Sequence, residues 1–208
     1  MKTQLKYNLY KLGNYSQKAL VLIHGWQGSM DSMLPLIKSM KIDDISYYLL
    51  EAPFKVLDGK GYSWSYEKSN GLWEIEKPKK LLLEFFTELF KVFNSKDVYV
   101  LGFSQGGLVC LDFVLFLEKQ LAGVYPISGF FRDPKSLVDR LHISQKKTPI
   151  LIGHGILDTV VPPESSKIAY KQLLNQGANV ELLLYNGKHK IGVDFIRRIV
   201  EEVSRHGL

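Results

Sequence analysis

Short apolar runs alternate with longer amphipathic stretches along the whole chain. Residues 19–23 (A-L-V-L-I) form an unbroken apolar run stopped by His24-Gly25, the pattern of a strand buried on both sheet faces. Residues 4–12 alternate apolar and polar at period two and predict an edge strand. Residues 32–40 predict a short helix with Pro35 in its first turn, and residues 45–50 a third strand ended by Ala52-Pro53. Residues 54–71 read as an irregular aromatic loop carrying Tyr62, Trp64 and Tyr66, long enough to suggest a functional role. Residues 78–93 place Leu82, Phe85, Phe86, Leu89 and Phe90 at helical spacing. Then come a strand at 98–103, a turn at 104–107, an apolar helix at 108–118 and strands at 122–127 and 149–152. A helix at 163–175, a strand at 180–185 and a helix at 191–204 complete the pattern. Strands alternating with helices predict an α/β domain: a mainly parallel central sheet, helices on both faces, right-handed crossovers. Without an internal repeat or linker-like tract, residues 1–208 are expected to form one domain.

Composition narrows this little. With 46% hydrophobic and 23% charged residues, the 208-residue chain is an ordinary globular sequence. Its single cysteine, Cys110, excludes a disulfide framework and a Cys-rich zinc site. The net charge of +6 comes from 27 Lys and Arg against 21 Asp and Glu. It reads as a solvated lysine-rich surface, so no nucleic-acid partner is expected. Lys77, Lys79, Lys80 and Lys91 are interleaved with Glu74, Glu76, Glu84 and Glu88, a solvated helix face rather than a lipid-binding stripe. The most apolar stretch, residues 108–117, is interrupted by Asp112 and too short to span a bilayer, so no stable membrane insertion is expected. The first eleven residues lack the apolar core of a signal peptide, which makes the cytoplasm the expected compartment.

Chemistry enters with Gly102-Phe103-Ser104-Gln105-Gly106, a G-x-S-x-G pentapeptide between an apolar strand and a helix. A tight strand-to-helix turn lifts the serine hydroxyl above the carboxyl edge of the sheet, and flanking glycines remove side chains that would collide there. A serine hydroxyl is a weak nucleophile and needs a base oriented by an acid. Asp158, in Gly155-Ile156-Leu157-Asp158, and His189, in Asn186-Gly187-Lys188-His189, each follow a predicted strand, in the order Ser, Asp, His. Both are thereby expected at the edge where Ser104 is displayed. Asp133 and Asp194 are the rival acids. His24 and His154 are expected to serve as packed or hydrogen-bonded neighbours, and His142 and His206 lack a matching context. The oxyanion of an acyl-transfer intermediate needs backbone donors. The amide of Gln105 is expected to supply one. The other is expected from the loop after residues 19–23, at Trp26 or, second, Gln27; the Trp26 indole would then roof the pocket.

These motifs resemble the α/β-hydrolase superfamily and, within it, the phospholipase/carboxylesterase group that includes acyl-protein thioesterases. The resemblance is carried by Leu22-Ile23-His24-Gly25, by Gly102 to Gly107, by His154-Gly155 with Asp158 and Val160-Val161-Pro162, and by Gly187 with His189. It implies a serine esterase or thioesterase acting on a small-molecule or acylated substrate, with neither metal nor organic cofactor, and Trp26 and Gln105 as the oxyanion pair. A phospholipid acyl hydrolase, a small serine peptidase and a non-catalytic ligand-binding module are the alternatives on the same scaffold. The sequence departs from the group where Trp26 replaces an aliphatic residue and Lys188 a frequent Met. Gly61-Tyr62-Ser63-Trp64 resembles a Trp-bearing pocket loop, so Trp26, Trp64 and Phe130 are expected to line the substrate pocket, with no separate cap domain. Acyl chain length, leaving group and oligomeric state are not encoded in any local pattern.

Overall fold

The computed structural model describes residues 4–13, 16–57, 59–135 and 139–205; His206 lies outside them. Among the described residues a seven-stranded sheet forms the centre. Its strands are β1 (Tyr7–Leu12), β2 (Lys18–Ile23), β3 (Ile45–Leu50), β8 (Val98–Phe103), β9 (Gly123–Ile127), β10 (Ile150–Gly155) and β11 (Val180–Tyr185), in the order β1-β3-β2-β8-β9-β10-β11. Only β1 runs antiparallel, pairing Tyr7 with Leu50 and Leu12 with Ile45; the other pairings are parallel.

Alternation along β2 builds two cores from one strand. Leu20 and Leu22 face one layer, where helices α1 (Leu34–Met40) and α5 (Val193–Arg205) contribute Leu36, Ile37, Phe195 and Ile199. Ala19, Val21 and Ile23 face the other, which is filled from α2 (Glu76–Val92), α3 (Gln105–Asp112) and α4 (Pro163–Asn175) by Phe86, Cys110 and Leu173 among others. Helices therefore cover both faces, the layering of the α/β-hydrolase fold. No helix among the described residues is long and apolar enough to cross a membrane.

Besides shifted ends, such as β10 running on to Gly155 and β1 starting only at Tyr7, the structure departs from the sequence pattern in three places. The helix expected at 108–118 starts earlier, at Gln105, ends at Asp112 and continues as a 3-10 turn, Val114–Phe116. Asp112 falls at the boundary, with its Oδ2 taken by the amide of Arg132 at 3.1 Å. The expected helix at 32–40 divides into a 3-10 turn, Met30–Met33, and α1. The loop expected to be irregular over 54–71 contains two small hairpins, β4 (Phe54–Lys55) with β5 (Tyr62–Ser63) and β6 (Tyr66–Ser69) with β7 (Leu72–Glu74). Its short alternations lie below the length at which a strand pattern is legible.

Candidate active site

Ser104 sits between β8 and α3 with φ 56° and ψ −113°, a conformation that costs a non-glycine residue about 1–3 kcal/mol. The surrounding contacts enforce it. A Cβ on Gly102 would lie 2.1 Å from the carbonyl oxygen of Gly106, and one on Gly106 would lie 2.1 Å from that of Ile23. Both glycines are thus steric necessities of the turn.

Asp158 and His189 arrive on two knitted loops beyond β10 and β11. The Leu157 amide donates to the Gly187 carbonyl at 2.9 Å, and the Asp158 amide to the Gly155 carbonyl at 3.1 Å. Close approach is possible because residue 155 is glycine: a Cβ there would lie 2.3 Å from the Gly187 oxygen. His189 Nδ1 lies 2.7 Å from Asp158 Oδ2, and its Nε2 lies 3.0 Å from Ser104 Oγ. The carboxylate can only accept, so Nδ1 carries the hydrogen and Nε2 is left to accept from the serine hydroxyl. Asp158 Oδ1 accepts from the amides of Val160 at 2.9 Å and Val161 at 3.0 Å. Burial alone would raise the Asp158 carboxyl; the bond from His189 and those two amides outweigh it and hold the group below its ordinary value. Three residues spread over 85 positions of chain are therefore linked by hydrogen bonds.

The rival acids stand elsewhere. Asp133 Oδ1 accepts from the Lys135 amide at 3.2 Å, and Asp194 pairs with Arg197 on the exposed face of α5. His24 and His154 are both buried. His24 Nδ1 donates to the Gly25 carbonyl at 2.7 Å, and Nε2 accepts from the Ala52 amide at 3.1 Å. Burial lowers its pKa, keeping it neutral.

The loop after β2 lies directly against the nucleophile: a Cβ on Gly25 would stand 3.2 Å from Ser104 Cβ. The Gly28 amide closes a turn onto the Gly25 carbonyl at 3.0 Å, with Trp26 and Gln27 at its centre. Gln105 opens α3, so its amide has no acceptor within the helix. A cleft of about 460 Å³ begins at His189 and Trp26 and runs between α1 and α5, floored by Met33, Leu36, Phe103, Ile191 and Ile196. Trp26 is 60% exposed at its rim.

Trp64 does not line that cleft. It is 2% exposed, and its indole N–H donates to the His24 carbonyl at 3.0 Å. That bond draws the ring beneath the loop, where it walls a separate cavity of about 280 Å³ with Leu82, Leu108 and Arg132. Phe130 is half-buried and lines neither cavity. The sequence reading missed the side chain of Gln105. Its Oε1 accepts from the Trp64 amide at 3.0 Å, and its Nε2 donates to Ser63 Oγ at 2.9 Å. The available signal was Ser63-Trp64-Ser65, small hydroxyl residues flanking a tryptophan just ahead of a charged stretch. Among the described residues no group of three or more His, Cys, Asp or Glu side chains is placed to hold a metal ion.

With the geometry in place, the chain matches the phospholipase/carboxylesterase family over residues 13–206. It is 34% identical over 113 residues to Carboxylesterase SOBER1 of Arabidopsis thaliana, covering 54% of this chain and 50% of that protein. It is 32% identical over 109 residues to Acyl-protein thioesterase 1 of Saccharomyces cerevisiae, covering 52% and 43% respectively. The chain thus spans about half the length, or less, of these curated relatives. In structure it is similar to esterase PE8, with a TM-score of 0.85 over 99% of this chain and 100% of the other; at 24% identity this likeness establishes the fold.

Proposed function

Because the chain belongs to the phospholipase/carboxylesterase family, we propose that it is a serine hydrolase cleaving carboxylic esters or thioesters through an acyl-enzyme on Ser104. The observation that carries this reading is the unbroken hydrogen-bond path from Ser104 Oγ through His189 to Asp158 Oδ2, at 3.0 and 2.7 Å. Ser104 Oγ attacks the acyl carbon as its proton passes to His189 Nε2. Asp158 holds His189 in the Nδ1–H tautomer and offsets the charge on the imidazolium that results. The tetrahedral intermediate collapses as the C–O or C–S bond breaks and His189 protonates the leaving alcohol or thiol. Water then repeats the sequence on the acyl-enzyme, with His189 as base, and releases the carboxylic acid.

The amides of Gln105 and Trp26 are our choice of oxyanion donors. The close approach of Gly25 to Ser104, which leaves little room for a side chain at residue 25, and the position of Gln105 at the start of α3 support it. The apolar cleft beside His189 takes the hydrocarbon part of the substrate. We read residues 1–208 as one catalytic domain, active without metal or organic cofactor and acting in the cytoplasm on small or acylated substrates rather than on nucleic acid. The likeness to an acyl-protein thioesterase supports an acylated substrate.

Covalent labelling tests the assignment. Wild-type protein is expected to react with a fluorophosphonate probe at Ser104 and to hydrolyse a p-nitrophenyl ester, and Ser104→Ala to lose both while keeping its fold. Normal turnover by Ser104→Ala, or labelling at another residue, would overturn it.

A further inference from the structure

The segment 61–65 touches both sides of the proposed oxyanion site. On one side, the Tyr62 amide donates to the Gly28 carbonyl at 2.8 Å, and the Trp64 indole N–H to the His24 carbonyl at 3.0 Å. These two bonds span the loop that carries Trp26 and Gln27. Gly61 meets the same loop closely, with φ +66° and a hypothetical Cβ only 2.0 Å from the Gln27 oxygen. On the other side, the segment grips the residue that follows the nucleophile. Gln105 Oε1 accepts from the Trp64 amide at 3.0 Å, and Gln105 Nε2 reaches Ser63 Oγ at 2.9 Å and Ser65 Oγ at 3.3 Å. Arg132 Nη2 donates to Ser65 Oγ at 3.0 Å and steadies the far end.

We infer that residues 61–65 act as a strut that sets the separation of the two oxyanion donors, with the Gln105 side chain and the Trp64 indole as its positioning residues. The inference rests on the hydrolase reading above. The residue whose amide supplies one donor is tied by its own side chain to the segment that carries the loop of the other. Neither donor sits deep within a regular element. Trp26 lies in the turn between β2 and α1, and Gln105 is the first residue of its helix, so the strut adds ties that fix their separation beyond the packing of the nucleophile turn against the end of β2. An oxyanion donor works only at about 2.7–3.1 Å from the developing charge, and displacement by about 1 Å costs on the order of 100-fold in rate. Neither side chain lines the cleft that takes the substrate, so weakening the strut affects the transition state and not ground-state binding.

The experiment compares wild type with Trp64→Phe, which deletes one N–H and keeps a buried ring, and with Gln105→Leu and Gln105→Glu. Each is assayed for kcat and KM on p-nitrophenyl butyrate, for inhibition by a trifluoromethyl ketone that forms a tetrahedral oxyanion on serine, and for thermal unfolding. We expect kcat to fall about 10- to 100-fold in Trp64→Phe and Gln105→Leu, KM to stay within about twofold, and ketone affinity to fall by the same factor as kcat. Gln105→Glu keeps an acceptor for the Trp64 amide but loses both donated bonds, so it should fall between wild type and Gln105→Leu. It carries the test if Gln105→Leu does not fold. Folded variants with wild-type kcat, or a kcat loss with undiminished ketone affinity, would overturn the strut. Failure of the hydrolase reading shows separately, as wild-type protein that neither labels at Ser104 nor turns over the ester.

Discussion

His154 Nε2 lies 3.3 Å from Asp158 Oδ2, the oxygen that also receives His189 Nδ1 at 2.7 Å. The same His154 nitrogen lies 2.9 Å from the Val161 carbonyl, and its Nδ1 lies 2.6 Å from Ser166 Oγ. Two oxygens that only accept face Nε2, so that nitrogen carries the hydrogen, and the Ser166 hydroxyl donates to Nδ1. A second histidine therefore holds the acid of the Ser104–His189–Asp158 path from behind, through both its carboxylate and the turn that supplies its amides. Replacing His154 with Leu removes both contacts. A hydrogen bond to a charged group is worth on the order of 1.5 kcal/mol, and this one is shared with a carbonyl, so kcat/KM on a p-nitrophenyl ester is expected to fall about tenfold. His154→Gln, which keeps an N–H, should recover part of the loss. Wild-type rates in a folded His154→Leu protein would refute the role.

The two buried histidines also determine how stability responds to acid. Burial lowers the pKa of both His24 and His154, whereas an unfolded histidine titrates near ~6.5. Below that pH the unfolded chain binds protons that the folded chain refuses, so ΔG of unfolding rises with pH. The stabilisation is fully present above about pH 6.5 and drains away as pH falls toward the lowered folded values, by up to about 1.4 kcal/mol per pH unit for each histidine. Urea titrations at pH 7.5 and 5.5 should give a lower midpoint at pH 5.5, and a shallower dependence in His154→Leu. An equal midpoint at both pH values would contradict it.

Sequence and structure agree most where one physical constraint acts alone. The buried strand Ile45–Leu50, the edge strand Val180–Tyr185 and the helix Pro163–Asn175 have the boundaries that their apolar positions and flanking turn residues imply. Ser104, Asp158 and His189 were legible because each follows a strand, and parallel strands deliver their carboxyl ends to one edge. The direction of the Trp64 side chain was not legible, for the opposite reason. An aromatic in a long loop has no periodicity to assign its direction, and here the His24 carbonyl, 40 residues away, draws its indole inward. At the early end of α3, Asp112 likewise meets the amide of Arg132, 20 residues downstream. Contacts of that kind are tertiary and leave no local pattern.

Asp158→Asn should separate orientation from simple presence of a polar group. The asparagine amide can donate where the carboxylate only accepts, which favours the wrong His189 tautomer and leaves Ser104 without a base. A loss of about 10⁴-fold in kcat is expected, with fluorophosphonate labelling slowed in parallel and little change in KM. A loss under tenfold would place the orienting acid elsewhere.

The nucleophile turn makes a prediction about stability rather than rate. Gly106→Ala places a Cβ 2.1 Å from the Ile23 oxygen and 2.9 Å from that of His24. These are backbone atoms of the central sheet and its exit loop, with no flexible side chain to yield. Overpacking of this kind costs about 1–3 kcal/mol or more. Gly71→Ala is the comparison: unlike helical Gly106 it has positive φ, at +82°, but nothing lies within 4 Å of the added carbon, so only the backbone penalty of about 1 kcal/mol applies. Thermal unfolding should rank wild type, Gly71→Ala and Gly106→Ala in that order, and the reverse order for the two variants would disprove the steric account.

Substrate length should be read out by the cleft beside His189. Its floor of Met33, Leu36, Phe103, Ile191 and Ile196 is apolar and its volume about 460 Å³. Each methylene buried there contributes about 0.8 kcal/mol, so kcat/KM should climb about fourfold per methylene from acetyl esters upward and level off when the cleft is full. Ile196 is half-buried where α5 meets the cleft. Ile196→Trp fills part of the volume without touching Ser104, Asp158 or His189. It should bring the plateau to shorter chains while leaving the acetyl ester rate within about twofold, a pattern that global damage would not produce. A profile flat from acetyl to decanoyl in the wild type, or an unmoved plateau in a folded Ile196→Trp protein, would show that the hydrocarbon chain lies elsewhere.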